Sequence, residues 1–308
     1  MKELIVISGK GGTGKTSIVA SFAALASHPV LADCDVDAAD LHLVVAPRVR
    51  QESPFVGGVK ARIVPDMCVD CGQCRDYCRF DAVIPPDGQN PSFRIDPSAC
   101  EGCGVCERFC PTEAIVLEDA VNGRWFISDT RFGPMVHAEL GIAEENSGKL
   151  VSLLRKQARD LAGQQGRSLL LVDGSPGIGC PVIASITGAD LALLVTEPTL
   201  SGRHDLRRVV ELTSHFHVPC AVCINKADIN LEVAAQIAAE AAAGSVPVLA
   251  HIPYDNAVTQ AQMVGRSLIE HSDGPASQAI RQLWDRTVAM LNSEKPQGDP
   301  YEDRHPAV

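Results

Sequence analysis

Short apolar runs alternate with helix-like stretches along most of this chain. Residues 3–8 (ELIVIS), 29–32 (PVLA), 168–172 (SLLLV), 191–199 (LALLVTEPT), 219–228 (PCAVCINKAD) and 249–252 (LAHI) are largely apolar and lack polar alternation. Runs this short, ending in glycine or polar turn-formers, predict strands buried on both faces, as in a parallel sheet. Between them, 17–26 (SIVASFAALA) reads as a helix, and KLVSLLRKQAR reads as another that Asn146 and Ser147 are suited to start. Near the end, Ile280, Leu283, Trp284, Val288 and Leu291 share one helical stripe within 275–291, predicting a helix docked on the sheet. The whole pattern predicts an α/β fold with a mostly parallel sheet. It is interrupted by a cysteine-rich stretch over 58–118. The predicted organisation is one domain over 1–57 and 119–292, an insert over 58–118, and a polar, proline-rich tail over 293–308 predicted to be disordered.

The first strand runs directly into Gly9-Lys10-Gly11-Gly12-Thr13-Gly14-Lys15-Thr16, followed by Ser17 and the first helix. Strand, glycine loop and helix are the context a phosphate-binding loop requires. Backbone N–H groups curl around phosphate, Lys15 reaches the terminal phosphates and the Thr16 hydroxyl ligates magnesium. The second strand ends in Asp33-Cys34-Asp35-Val36-Asp37, and the run 168–172 ends in Asp173, followed by Gly174-Ser175-Pro176-Gly177-Ile178-Gly179. Carboxylates at the carboxyl ends of parallel strands lie where such sheets place their ligand crevice. Strand alternation predicts Asp33 and Asp35 on one side, with Asp37 read either as a third site residue or as a solvated turn. Asp173 reads as the magnesium-side aspartate, and Gly177 as a backbone N–H that senses the terminal phosphate or as a plain turn.

Lys10 is not needed by an ordinary phosphate-binding loop, and here the sequence resembles the deviant Walker A signature of the MinD/ParA/nitrogenase-iron-protein class. That resemblance implies a P-loop ATPase binding ATP or ADP with Mg2+, in which two subunits sandwich the nucleotide and Lys10 acts across the interface. It also implies that Asp35 orients or activates the attacking water, and that Asp33 supports the magnesium shell or the switch. Asn225 resembles the class's adenine-edge residue. Pro253, Tyr254 and Asp255 stand where the class often packs the base.

Twelve cysteines are present, and eight fall in two runs: Cys68, Cys71, Cys74 and Cys78, then Cys100, Cys103, Cys106 and Cys110, the last followed by Pro111. Both runs match the bacterial ferredoxin spacing, in which the fourth cysteine of each run ligates the other cluster. That match implies an α+β ferredoxin-like insert holding two [4Fe–4S] clusters. One would be held by Cys68, Cys71, Cys74 and Cys110, the other by Cys78, Cys100, Cys103 and Cys106. Zinc is the alternative, but structural zinc uses paired C-x2-C knuckles and has no need of a third cysteine at the same short spacing. Both halves continue similarly, as FDAVI (80–84) and TEAIV (112–116), though Arg79 stands where the second half has Pro111. The clusters serve either electron transfer or the folding of a module with little apolar core.

Together with the blocks VLADCDVDAADLHL, GPMVHAELGIAEENSGKLV and VTEPTLSGRHDL, these motifs resemble the MinD-superfamily ATPases with an inserted ferredoxin domain, some of them associated with the orange protein complex of anaerobes. The resemblance implies a homodimer, or a heterodimer with a paralogous ATPase, and a redox or metal-cluster protein as partner. It leaves three functions in view: nucleotide-coupled redox or cluster handling, spatial organisation of the MinD/ParA kind, and iron–sulfur cluster carriage. A formal net charge of −11 argues against a broad nucleic-acid surface. The absence of a long apolar run or a basic amphipathic tail predicts a cytoplasmic protein without direct membrane binding. Of the remaining cysteines, Cys220 and Cys223 lie three apart in a strand and so face opposite sides, while Cys34 and Cys180 flank the nucleotide region and read either as accessory thiols or, more plainly, as buried ones.

Overall fold

The computed structural model describes residues 1–141 and 147–293. Residues 294–308 of the expected tail, and Asn146 of the expected helix start, lie outside those residues. The chain opens with β1 (Lys2–Ser8), α1 (Lys15–Leu25), β2 (Val30–Asp33) and the short α2 (Leu41–Val45) before entering a long strand, β3 (Arg48–Ile63). The cysteine-rich stretch contributes α3 (Gln73–Tyr77), β4 (Val83–Ile84), β5 (Arg94–Ile95) and α4 (Val105–Arg108). The chain returns through β6 (Ile115–Asp129), β7 (Pro134–Leu140) and α5 (Ser147–Gln164). Strands and helices then alternate: β8 (Leu169–Pro176), α6 (Cys180–Ile186), β9 (Leu191–Thr196), α7 (Leu200–His215), β10 (Cys220–Ile224), α8 (Leu231–Ala243) and β11 (Val248–His251). Three helices close the description, α9 (Ala257–Met263), α10 (Leu268–His271) and α11 (Pro275–Asn292).

Nine strands form one sheet in the order β11-β10-β9-β1-β8-β2-β7-β6-β3. The first seven in that order are parallel, and β6 and β3 extend the sheet antiparallel. Alternation along the central strands feeds two cores. Ile5 and Ile7 of β1 pack with Leu150 and Leu154 of α5 on one face, while Leu4 and Val6 pack with Ile18 and Phe22 of α1 on the other. Cys220 and Cys223 follow the same rule, the first packing against one core and the second buried in the other. Cys34 is buried as expected, but Cys180, the first residue of α6, is exposed.

The edge departs most from the sequence reading. The strands β3 and β6 pair along almost their whole length, from Arg48 opposite Asp129 to Ile63 opposite Ile115. The ribbon thus runs through both expected domain boundaries without a linker. Its root packs Phe55 and Trp125 against the α5 core, and its tip packs Ala61, Ile63 and Ile115 with Ala82 and Cys100. Midway, the register slips on either side of Val56. Gly57 there donates its N–H to Asn122 Oδ1 (2.8 Å) and accepts a hydrogen bond from Lys149 Nζ (3.1 Å). Among the described residues, no helix is long and apolar enough to cross a membrane.

Candidate nucleotide site and cysteine pockets

Between the carboxyl ends of the parallel strands lies a cleft of about 670 Å³. One wall is the glycine loop, with Gly11, Gly12, Gly14, Lys15, Thr16 and Ser17. The other includes Asn225, Pro253, Tyr254 and Asp255, so the residues expected at phosphate and base line one cavity. Gly14 caps α1 at φ +94°, in the left-handed region that favours glycine, and a Cβ there would collide with the Asn225 amide. Asn225 is committed inward: its Nδ2 donates to Thr13 O (2.8 Å) and its Oδ1 accepts from Lys226 N (3.0 Å). It braces the loop as well as lining the cleft.

The acidic residues separate by role. Asp35 lines the cleft with Oδ2 3.5 Å from Lys15 Nζ, and both side chains are almost fully buried. Burial pushes the Asp35 carboxyl up in pKa, and Lys15 opposes that shift. Asp33 and Asp173 sit side by side across β2 and β8, behind the cleft wall. Asp33 accepts from the N–H groups of Asp35 (3.2 Å) and Leu41 (3.3 Å), so it organises the loop that turns Asp35 toward Lys15. Strand alternation does not place Asp35, because β2 ends at Asp33. Asp37 is an exposed turn residue.

Both oxygens of Asp173 are buried without a hydrogen-bond partner, as are Asp35 Oδ1 and Thr13 Oγ1. Burial raises the Asp173 pKa to about 7 against the pull of Lys15 and of the nearby Thr16 hydroxyl. Orphaned carboxylate oxygens beside the phosphate loop suit a hard divalent cation carrying its own water and phosphate ligands. ATP or ADP with Mg2+ therefore fits the residues present. The N–H of Gly177, at φ +94°, is given to Ser8 O (2.8 Å), so in this arrangement it is turned away from the phosphate position expected of it.

Several partners escaped the sequence reading. Gln262 of α9 donates to Ser17 Oγ (3.0 Å). Glu197, just past β9, pairs with Lys10 (2.6 Å) and Lys226 (3.0 Å). An acidic residue at a strand's carboxyl end was a readable signal for Glu197. Nothing local marks Gln262.

The eight clustered cysteines meet at the ribbon tip, in two pockets. One is lined by Cys68, Cys71, Cys74 and Cys110, and the other by Cys78, Cys100, Cys103 and Cys106. Each pocket draws three thiols from one run and the fourth from the other. The two halves repeat in backbone as well as in text: Asp70 and Gly102, Gly72 and Gly104, and Asp81 and Glu113 all take matching positive φ values. Tyr77 and Phe109, each just before the fourth cysteine of its run, stack at 4.6 Å and tie the halves together. Backbone N–H groups point at sulfur, from Ala61 to Cys100 Sγ (3.4 Å) and from Ala114 to Cys110 Sγ (3.3 Å). None of the twelve cysteines forms a disulfide, and among the described residues no three Cys, His, Asp or Glu side chains converge closely enough for a single metal ion.

The CobQ/CobB/MinD/ParA nucleotide binding domain family matches residues 4–268. The chain is similar to an uncharacterized protein of Methanocaldococcus jannaschii, MJ0578, at 36% identity over 74% of this chain and 79% of that one. A second from the same organism, MJ0579, is 22% identical over 89% and 94% of the two chains. Among solved structures, the Pyrococcus horikoshii septum site-determining protein MinD complexed with Mg-ADP superposes at TM-score 0.57, with 17% identity over 94% of this chain and 97% of that one. The Pyrococcus furiosus cell division ATPase MinD superposes at 0.56 with 17% identity, covering 94% and 99%. At that identity the likeness is one of fold. With the phosphate loop, buried aspartates and cleft described above, the family match leads to one conclusion: this chain belongs to the CobQ/CobB/MinD/ParA nucleotide-binding family and is a P-loop ATPase.

Proposed function

We propose that this ATPase carries two [4Fe–4S] clusters in an inserted ferredoxin-like module and that its nucleotide state is coupled to electron transfer or cluster handling with a partner protein. The observation that carries the reading is the exchanged pairing of the cysteines, three from one run and one from the other around each pocket. Three cysteines at two-residue gaps with a fourth from the other run suit a four-iron cube, whereas structural zinc uses paired C-x2-C knuckles. Cys68, Cys71, Cys74 and Cys110 would hold one cluster, and Cys78, Cys100, Cys103 and Cys106 the other. Such a cluster, when bound, takes up and releases single electrons. The N–H groups of Ala61 and Ala114 stabilise negative charge on the sulfurs of Cys100 and Cys110, one of the levers that set cluster potential.

In the nucleotide half, Lys15 neutralises the terminal phosphates, Thr16 and Asp173 would hold magnesium, and Asp35 orients the attacking water. Lys10 acts on the nucleotide of a second subunit. A physical route joins the two halves. The switch segment after β8 leads into α6, whose first residue, Cys180, packs against Gly148 of α5. The neighbouring Lys149 props the Gly57 bulge of the ribbon that ends at the cysteine pockets.

Anaerobic purification, an iron count and EPR during a potentiometric titration, with and without ATP and Mg2+, test the proposal. About eight irons per chain, with signals or potentials that move with nucleotide, are expected. A protein lacking iron after anaerobic isolation overturns the reading. Iron present with nucleotide-independent signals would leave the module to folding or docking, as in spatial organisation of the MinD/ParA kind.

A further inference from the structure

We propose that Glu197 is a latch that holds Lys10 against its own subunit and releases it to the nucleotide of the facing subunit when a second copy of this chain closes over the cleft. The inference rests on the reading of Lys10 given above and adds the residue that regulates it. Lys10 belongs to the glycine loop, yet its ammonium contacts nothing in the cleft. It is held by Glu197 Oε1 at 2.6 Å, Thr199 Oγ1 at 3.2 Å and Ser201 Oγ at 3.1 Å, all at or before the start of α7. Three partners match the three donors of an ammonium group, so this is a filled site and not a chance surface contact.

The Glu197 side chain is 17% exposed, and a carboxylate so placed needs a counter-charge. If Lys10 were its sole partner, each departure would strand the charge, and the latch would be too costly to open. A second lysine removes that cost. Lys226 Nζ lies 3.0 Å from Glu197 Oε2 and also donates to Gly12 O (3.1 Å), tying it to the phosphate loop. Lys226 therefore stays when Lys10 leaves, and the carboxylate remains paired. The exchange is one charge-assisted contact for another, Glu197 for the phosphate of the facing subunit. The latch also sits on an open edge, since the adjoining Leu200 is 75% exposed. A second copy approaching the cleft meets that edge without displacing packed structure.

Glu197→Gln tests the latch in the full-length holoprotein. Sedimentation velocity with a slowly hydrolysed ATP analogue and Mg2+ over a concentration series reads dimer formation, and steady-state turnover at low protein concentration reads the consequence. With Lys10 freed, the dimer midpoint is expected to fall about tenfold in concentration, the value of roughly one charge-assisted hydrogen bond, and turnover at low concentration to rise. The gain should vanish in the Lys10→Ala, Glu197→Gln double variant. The latch is overturned if Glu197→Gln dimerises and turns over like the parent, or if the gain persists without Lys10. It is equally overturned if the variant loses nucleotide affinity, which would make Glu197 a loop brace acting through Lys226. The two readings fail separately: Lys10→Ala behaving like the parent removes the trans role, whereas Lys10→Ala impaired beside a silent Glu197→Gln removes only the latch.

Discussion

Asp173 carries both carboxylate oxygens buried and unpartnered, and burial raises its pKa to about 7. A carboxyl whose folded pKa exceeds its unfolded value of about 3.9 supports folding while protonated and loses that support as pH rises through about 7. In the nucleotide-free protein, Asp173→Asn should therefore raise the thermal midpoint at pH 8 by several degrees and leave it nearly unchanged at pH 4. The same variant should lose Mg2+-dependent turnover; paired thermal scans and turnover assays check both. A midpoint that falls at pH 8 would mean that the buried charge is already compensated. Gly14 presents the opposite problem, a position where any side chain is excluded. Gly14→Ala meets both a left-handed backbone and the Asn225 amide, so nucleotide affinity should drop at least about tenfold, as read by equilibrium binding of a fluorescent ATP analogue. This position was legible from the motif. The Asn225 amide that enforces it was not, because the glycine loop and β10 lie far apart in sequence and are joined only by the fold.

The ribbon of β3 and β6 joins the main sheet to the cysteine pockets, and two side chains hold it. Lys149 supports the Gly57 bulge from α5, so Lys149→Met should speed amide exchange around 56–59 and 120–123 by about tenfold and weaken nucleotide-dependent changes at the cysteine pockets. Hydrogen-exchange mass spectrometry checks the first effect, and EPR with and without nucleotide the second. At the ribbon root, His137 stacks on Phe126 at 5.0 Å and shares a 2.9 Å hydrogen bond with Ser128. Burial, aided by His42, pushes its pKa down to about 4. A histidine depressed below its unfolded value of about 6.5 contributes stability above that pH and loses it as pH falls toward 4. His137→Gln should flatten this acid loss by roughly 2 kcal/mol, measured by urea unfolding at pH 7 and pH 4.5. Neither β3 nor β7 stood out in the hydrophobic pattern. RVRQESPFVGGVKARI mixes charge, proline and paired glycines because it forms an exposed edge, where only one side is covered and alternation is weak.

Across the whole molecule, the exchanged cysteines make a strong demand on the proposed clusters: each would depend on one thiol from the other run. Cys78→Ser and Cys110→Ser should each cost about four of about eight irons and lower the thermal midpoint of the module, because the apolar core there is small. Iron analysis after anaerobic isolation checks this, and full iron retention in either variant would refute the exchange. The phosphate loop, the strand-end aspartates and the cysteine runs were determined by the sequence itself, because each is a chemistry written in contiguous residues. Glycines must adjoin the lysine that follows a strand, and thiols that wrap one group must recur at short spacing. The alternation that sorts Cys220 and Cys223 into opposite cores is local in the same sense. Only the tertiary structure decided that Lys10 faces Glu197, that Asp33 serves the backbone of its own loop, and that Lys149 reaches the ribbon. It also decided that the ribbon passes unbroken through the expected domain boundaries, since strand pairing answers to a partner some sixty residues away. Charges and edge strands take their partners from whatever the fold brings within a few ångströms, and that proximity has no spacing in the chain from which it can be read.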